Sequence, residues 1–138
     1  MSVTVYYDAQ AGDTLAYEIL AEAWNELMLD GLIANRIGVP PFDAQSEVLY
    51  ATSAEGDIVG VLTFKRGPRR ANLELAYVEP SSRGRGVFKT LFSDLQARLY
   101  RDGIITIDVQ VPEAGAGLKA FQSVGFATRS RVLELGMA

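Results

Sequence analysis

Val3, Val5 and Tyr7 alternate with Thr4 and Tyr6, the period-two pattern of a strand that ends near Gly12. Asp13 or Thr14 then caps a helix. Its apolar residues Ala16, Ile19, Leu20, Ala23, Trp24 and Leu27 recur every three to four positions, its acids Glu18, Glu22 and Glu26 form a solvated side, and Gly31 ends it. Residues 31–46 hold Gly31, Gly38, Pro40 and Pro41 among scattered apolar residues, which predicts a loop or short helix of the kind that shapes ligand sites. Two strand-like runs, 47–54 and 58–65, flank Glu55-Gly56-Asp57, a hairpin signature. A turn at Gly67-Pro68 leads into a strand over 72–78, so three antiparallel strands follow one another.

Beyond that strand, Phe88, Leu91, Phe92, Leu95 and Leu99 keep helical spacing up to Asp102-Gly103. Ile105, Ile107, Val109 and Val111 alternate with polar residues in a further strand stopped by Pro112. Residues 114–124 predict a short helix with Leu118, Phe121 and Val124 inward, ended by Gly125, and 128–135 supply a last strand. The order β-α-β-β-β-α-β-α-β describes an α/β (α+β) fold in one domain spanning 1–138, with helices packed on a mixed, largely antiparallel sheet.

Composition narrows the chemistry. The 138 residues include no cysteine and no histidine. Disulfides, thiolate nucleophiles, imidazole or thiolate zinc sites, Ser-His-Asp triads and histidine acid/base catalysis are therefore excluded, which leaves carboxylates, hydroxyls, backbone amides or a bound cofactor. The net charge of −4 argues against a nucleic-acid partner, which needs a basic stripe. Charge is nevertheless uneven: residues 65–89 hold seven of the 13 basic residues and two of the 17 acidic ones, a local charge of +5 against −9 elsewhere. That asymmetry suggests an anionic ligand held locally, although Lys65, Arg66, Arg69 and Arg70, which flank Gly67-Pro68, are read more simply as a solvated hairpin. No run of residues is long and apolar enough for a membrane span, and residues 1–13 lack a signal-peptide pattern, so a cytoplasmic protein without a membrane partner is expected.

The informative segment is Val78-Glu79-Pro80-Ser81-Ser82-Arg83-Gly84-Arg85-Gly86-Val87-Phe88-Lys89, which places two glycines between a strand end and a helix start. Glycines allow positive φ and close backbone approach, so successive N–H groups can converge on a phosphate at a helix N-terminus. Arg83, Arg85 and Lys89 add charge around it. A Walker-type loop does not fit, because Gly-Lys-Ser/Thr never occurs.

With Arg83 and Gly86 following Val78-Glu79-Pro80, the segment resembles the GNAT superfamily of acyl-CoA-dependent N-acetyltransferases, whose signature is Gln/Arg-x-x-Gly-x-Gly/Ala after a strand ending in Val-x-Pro. Phe88 replaces the last small residue, which turns its ring toward the core and leaves the backbone to make the close approach. Phe121-Gln122-Ser123-Val124-Gly125-Phe126 matches that family's later Tyr-x-x-x-Gly-Phe pattern with phenylalanine for tyrosine, so the resemblance covers most of the chain.

The resemblance implies a sheet of about six strands with helices on both faces, acetyl-CoA as cosubstrate, no metal, and an amine acceptor that is a small molecule or a protein amine; a homodimer is compatible with it. It implies that the backbone of Tyr77 and Val78 meets the pantetheine arm, that Arg83, Gly84, Arg85, Gly86, Val87, Phe88 and Lys89 hold the pyrophosphate, and that Phe121 packs beside the cofactor or in the core. Glu74 is the first candidate for a general base, with Glu79, Asp108 and Glu113 behind it, although a strand glutamate among leucines is more often solvent-facing or salt-bridged. Phe121 cannot protonate the departing thiolate, so water or a hydroxyl such as Ser123 would do so, and Ala114 stands where the family has an asparagine. A noncatalytic acyl-CoA-binding regulator or sensor is the alternative, and a simple interaction domain would keep only the fold.

Overall fold

The computed structural model describes residues 2–30, 42–109, 116–128 and 135. Strand β1 (Thr4–Asp8) pairs antiparallel with β2 (Glu47–Thr52), β2 with β3 (Ile58–Arg66) and β3 with β4 (Arg70–Val78), while β5 (Thr106–Val109) joins β4 in parallel. The five strands lie in sequence order. The sixth expected strand, over 128–135, falls almost wholly on residues outside the described ones. Helix α1 (Tyr17–Asp30) precedes β2, α2 (Val87–Arg101) makes the crossover that a parallel β4–β5 pair requires, and α3 (Ala116–Ser123) follows β5.

The local signals explain these elements. Thr14 Oγ1 accepts the Ala16 N–H at 3.1 Å and donates to Asp8 Oδ2 at 2.6 Å, so of the two expected caps it is Thr14 that ties the entry of α1 to the end of β1. The β2–β3 turn falls at Glu55-Gly56-Asp57, with Ser53 N–H bonded to Asp57 O at 2.8 Å. β4 begins two residues earlier than its alternation suggests, because Gly67 N–H closes the turn on Arg70 O at 2.7 Å and Ala71 already pairs with Arg66.

Helices cover both faces, as expected. On one, Leu49, Ala51, Leu62, Phe64, Ala71 and Leu73 meet Val87, Leu91, Phe92, Leu95 and Leu99 of α2 and Phe121 of α3. On the other, Val48, Tyr50, Val61, Leu75 and Tyr77 meet Ala16, just ahead of α1, and Ile19, Leu20 and Ala23 within it. Trp24, expected on the inward stripe, is only half-buried.

Ala71, Leu73, Leu75 and Tyr77 alternate without interruption, and an unbroken strand would put all four on one face. They divide two and two between the cores. The cause is a β-bulge: Thr63 pairs with Leu75 but Phe64 with Leu73, so Glu74 is an extra residue that turns the rest of the strand over. β5 pairs with Arg70–Leu73, and among the described residues Glu74–Val78 have no strand partner on that side.

Candidate active site

The released half of β4 runs into a short helical turn at Pro80–Ser82, where the Glu79 carboxylate accepts both the Ser81 and the Ser82 hydroxyls. Gly84 (φ +76°) and Gly86 (φ +84°) then adopt left-handed backbone that side chains resist, and α2 starts at Val87 with no side-chain cap. The N–H groups of Gly84, Arg85 and Gly86 have no hydrogen-bond partner among the described residues. The N–H groups of the first α2 turn add to them, and with the helix dipole they form a cradle for an anion. Arg85 and Lys89 are exposed beside it and make no ion pair among the described residues.

Two buried contacts fix this helix start. Val87 is 2% exposed and sits against Gly60 of β3, where a Cβ would lie 2.8 Å from Val87 Cγ1. The Phe88 ring turns toward the core, as expected, at 6.1 Å from Phe92 and edge-on to Phe121 at 5.5 Å. Its backbone therefore remains part of the cradle.

Arg83 is placed differently from a simple phosphate clamp. Its Nε donates to Val78 O at 2.8 Å, one terminal nitrogen donates to both Glu26 carboxylate oxygens at 2.7 Å, and the guanidinium lies 5.4 Å from the centre of the Tyr77 ring. Tyr77 in turn donates its hydroxyl to Glu22 Oε1 at 3.2 Å. Arg83, followed by Tyr77, holds Glu26 below the usual carboxylate range. Burial, then the carboxylates of Glu26 and Glu22, push Tyr77 up, so it stays a protonated donor. Glu22 and Glu26, read from sequence as solvated, thus tie α1 to the loop, and the only sequence signal for this was their four-residue spacing on one side of α1. A cleft of about 370 Å³ opens beside this network, with Glu22, Glu55, Asp57 and Glu79 in its walls.

The four candidate bases separate sharply. Asp108 is occupied by Arg70, at 2.7 and 2.8 Å. Glu79 is held down in pKa by the Ser81 and Ser82 hydroxyls, and Glu113 lies outside the described residues. The Glu74 side chain is 6% exposed, with Lys65 Nζ 3.7 Å from one oxygen. Its other oxygen, like Thr63 Oγ1 on the adjacent strand, is buried without a partner among the described residues. Burial pushes the Glu74 carboxyl up, against a hydrogen bond from Ser46 and the charge of Lys65. Alternation from Leu73 puts this residue on the α1 face, beside the buried Thr63, and Thr63 and Lys65 gave no sequence signal of their own.

Phe121 is 8% exposed and packs edge-on against Phe126 at 5.4 Å, so it stands in the core. Ser123 donates to Ala120 O at 2.6 Å, and Ala114 lies outside the described residues. The basic hairpin is not simply solvated: Lys65 pairs with Asp43, Arg66 with Glu47 and Asp102, and Arg70 with Asp108. Much of the local positive charge is therefore spent on the protein's own acids.

A mixed sheet with one strand half released, followed by a glycine-rich turn at a helix N-terminus, defines an α/β protein with the backbone geometry of an anion site at the end of its fourth strand. A model of the acetyltransferase (GNAT) domain matches residues 7–134, and the chain belongs to this family of acetyltransferases. Its fold is that of an aminoglycoside acetyltransferase from an uncultured soil metagenomic sample (20% identity, 100% of each chain covered, TM-score 0.69). It is shared by a ribosomal-protein-alanine N-acetyltransferase from Brucella melitensis biovar Abortus 2308 (18% identity, 99% of this chain and 100% of that one, TM-score 0.70). An N-acetylglutamate synthase from Neisseria gonorrhoeae, solved with coenzyme A and N-acetyl-glutamate, is similar over 94% of this chain and 30% of its own (14% identity, TM-score 0.69). No curated protein sequence matches the chain. Among the described residues no helix is long and apolar enough to cross a membrane.

Proposed function

We propose that the protein transfers an acetyl group from acetyl-CoA to a primary amine, by direct attack of the amine on the thioester. The observation that carries this reading is the N–H cradle of Gly84–Gly86 and the first α2 turn, lying at the end of a strand whose outer edge has no strand partner after Leu73 among the described residues. In it, the pyrophosphate rests on the backbone of Gly84, Arg85, Gly86, Val87, Phe88 and Lys89, with the Arg85 and Lys89 side chains beside it. Arg83 acts by holding the loop. The amide-rich arm of the cosubstrate lies along Tyr77 and Val78, as a strand would, and Phe121 supports that wall from the core.

The chemistry then needs little more than proton management. About one molecule in a thousand of a lysine-like amine is uncharged near pH 7.4, a cost of about 4 kcal/mol. Glu74, buried and raised in pKa, takes that proton directly or through water. The new N–C bond forms as the C–S bond breaks, and the thiolate, with a thiol pKa near 8.5, leaves and takes up, through water, the proton that the acylated nitrogen gives up. A protein without cysteine or histidine is not short of any group this route requires. The acidic walls of the neighbouring cleft favour an acceptor that is cationic in water.

A thermal-shift titration with acetyl-CoA and with free coenzyme A tests the reading. At about one hundred times its dissociation constant a ligand stabilises by about 2.7 kcal/mol, which for this chain length is about 9 °C. Gly86→Asp, which puts a carboxylate into the cradle at a positive φ, is expected to abolish most of that shift. No shift with millimolar acetyl-CoA overturns the proposal. Phe121 in place of a hydroxyl donor favours one second reading, a noncatalytic acyl-CoA sensor. Release of thiol from acetyl-CoA in the presence of an aminoglycoside, free amino acids or an alanine-terminated peptide distinguishes the two.

A further inference from the structure

We propose that Lys65 is a positioning residue for Glu74: its ammonium, anchored by Asp43, faces the buried carboxylate and holds it oriented and in its base form. The inference rests on the reading of Glu74 as the base. Lys65 extends from β3 and bridges two acids of opposite character, the exposed Asp43 and the 6%-exposed Glu74, 3.7 Å away. The hairpin pattern that made Lys65 look like part of a solvated turn hides this, because its partners come from the segment before β2 and from the bulge in β4.

The charged and titratable groups around Glu74 are few. From the segment before β2 come Asp43 and the buried Ser46 hydroxyl, and from β3 come Lys65 and the Thr63 hydroxyl. On α1, Glu22 and Glu26 are turned to Tyr77 and Arg83, and on β5 Asp108 is bound to Arg70. Lys65 is thus the one cation facing Glu74 among the described residues. A carboxylate held in a largely apolar setting takes up a proton unless a cation compensates it. Removing Lys65 leaves burial and Asp43, which disfavour the Glu74 charge, opposed only by the Ser46 hydroxyl.

Carbon-13 NMR of the full chain labelled at glutamate carboxyls, titrated from pH 3 to 9, reads Glu74 without any acceptor, with Glu74→Gln identifying its resonance. Lys65→Met is expected to raise the Glu74 midpoint by about one pH unit, the low end of what a nearby opposite charge contributes, because the lysine is half-exposed. Lys65→Arg should stay within about 0.3 unit of the unaltered protein. The acid limb of kcat/KM for acetyl-CoA, measured with whichever amine of the panel is turned over, should move by the same amount while KM for acetyl-CoA holds. A Glu74 midpoint that does not move in Lys65→Met overturns the proposal. A midpoint that moves while Glu74→Gln turns over normally overturns the base reading alone and leaves the Lys65 coupling standing.

Discussion

Gly60 is where the sheet lets α2 come close. A Cβ built there would stand 2.8 Å from Val87 Cγ1, 3.0 Å from Leu91 Cδ1 and 3.5 Å from the Tyr77 carbonyl oxygen. Carbon atoms pack at about 3.5–4.0 Å, so Gly60→Ala demands several tenths of an ångström from its neighbours. Val87 has little to give, since a β-branched residue in a helix has one favoured rotamer and this one is 2% exposed. The start of α2 must lift instead. Overpacking of this kind costs about 1–3 kcal/mol, and the smaller freedom of the unfolded alanine chain offsets about 0.4–1 kcal/mol. The net loss of about 0.5–2 kcal/mol corresponds to a fall in Tm of about 2–7 °C, at about 0.3 kcal/mol per degree for a chain of this size. Gly60→Val should cost more. Because the lifted residues carry the N–H groups of the anion cradle, acetyl-CoA affinity should weaken at least threefold in the same variant. Calorimetric melting and isothermal titration measure the two effects. If Gly60→Ala melts and binds like the unaltered protein, the contact does not constrain the helix and the reasoning fails.

Glu26→Gln should cost below about 1 kcal/mol, since the partner Arg83 is nearly half-exposed, yet amide exchange at Gly84–Gly86 should accelerate; unchanged exchange would show that α1 does not hold the loop. Glu74 has a definite sign: burial raises its folded pKa above the ordinary 4.5, so it costs stability increasingly as pH rises from about 4.5 through the raised value. Glu74→Gln should therefore melt with the unaltered protein near pH 4 and above it at pH 8, and a melting difference that is flat with pH would contradict the burial argument.

The parts of the molecule legible in the sequence are those whose signals are local. Leu91, Leu95 and Leu99 mark α2 by spacing, Glu55-Gly56-Asp57 marks the hairpin, and Gly84 and Gly86 mark the loop, because each signal lies within a few residues of what it specifies. What escaped is set by partners far along the chain. Arg83 meets Glu26 from 57 residues away, so its basic neighbourhood pointed to a phosphate when its side chain is tied to α1. Lys65 and Arg66 likewise meet Asp43, Glu47 and Asp102, which turns a charge count into a set of internal pairs. Glu74 sat in a regular alternation that favoured a solvent-facing or salt-bridged reading, and the β3 neighbours that enclose it, Thr63 and Lys65, are set by strand pairing.

The bulge in β4 sets a phase for everything after it. With Glu74 deleted, the β3–β4 ladder would run on without a shift, Leu75 would still oppose Thr63 and Tyr77 still oppose Val61, and each would keep its present face. Were residue 74 kept and paired without the bulge, Leu75 and Tyr77 would instead arrive under α2, where Val87 and Leu91 leave no room beside Gly60, and smaller side chains would leave the α1 side underfilled. The carboxylate is consequently carried by an inserted residue that the packing of neither core requires, and the alternation of β4 survives its substitution and its deletion alike.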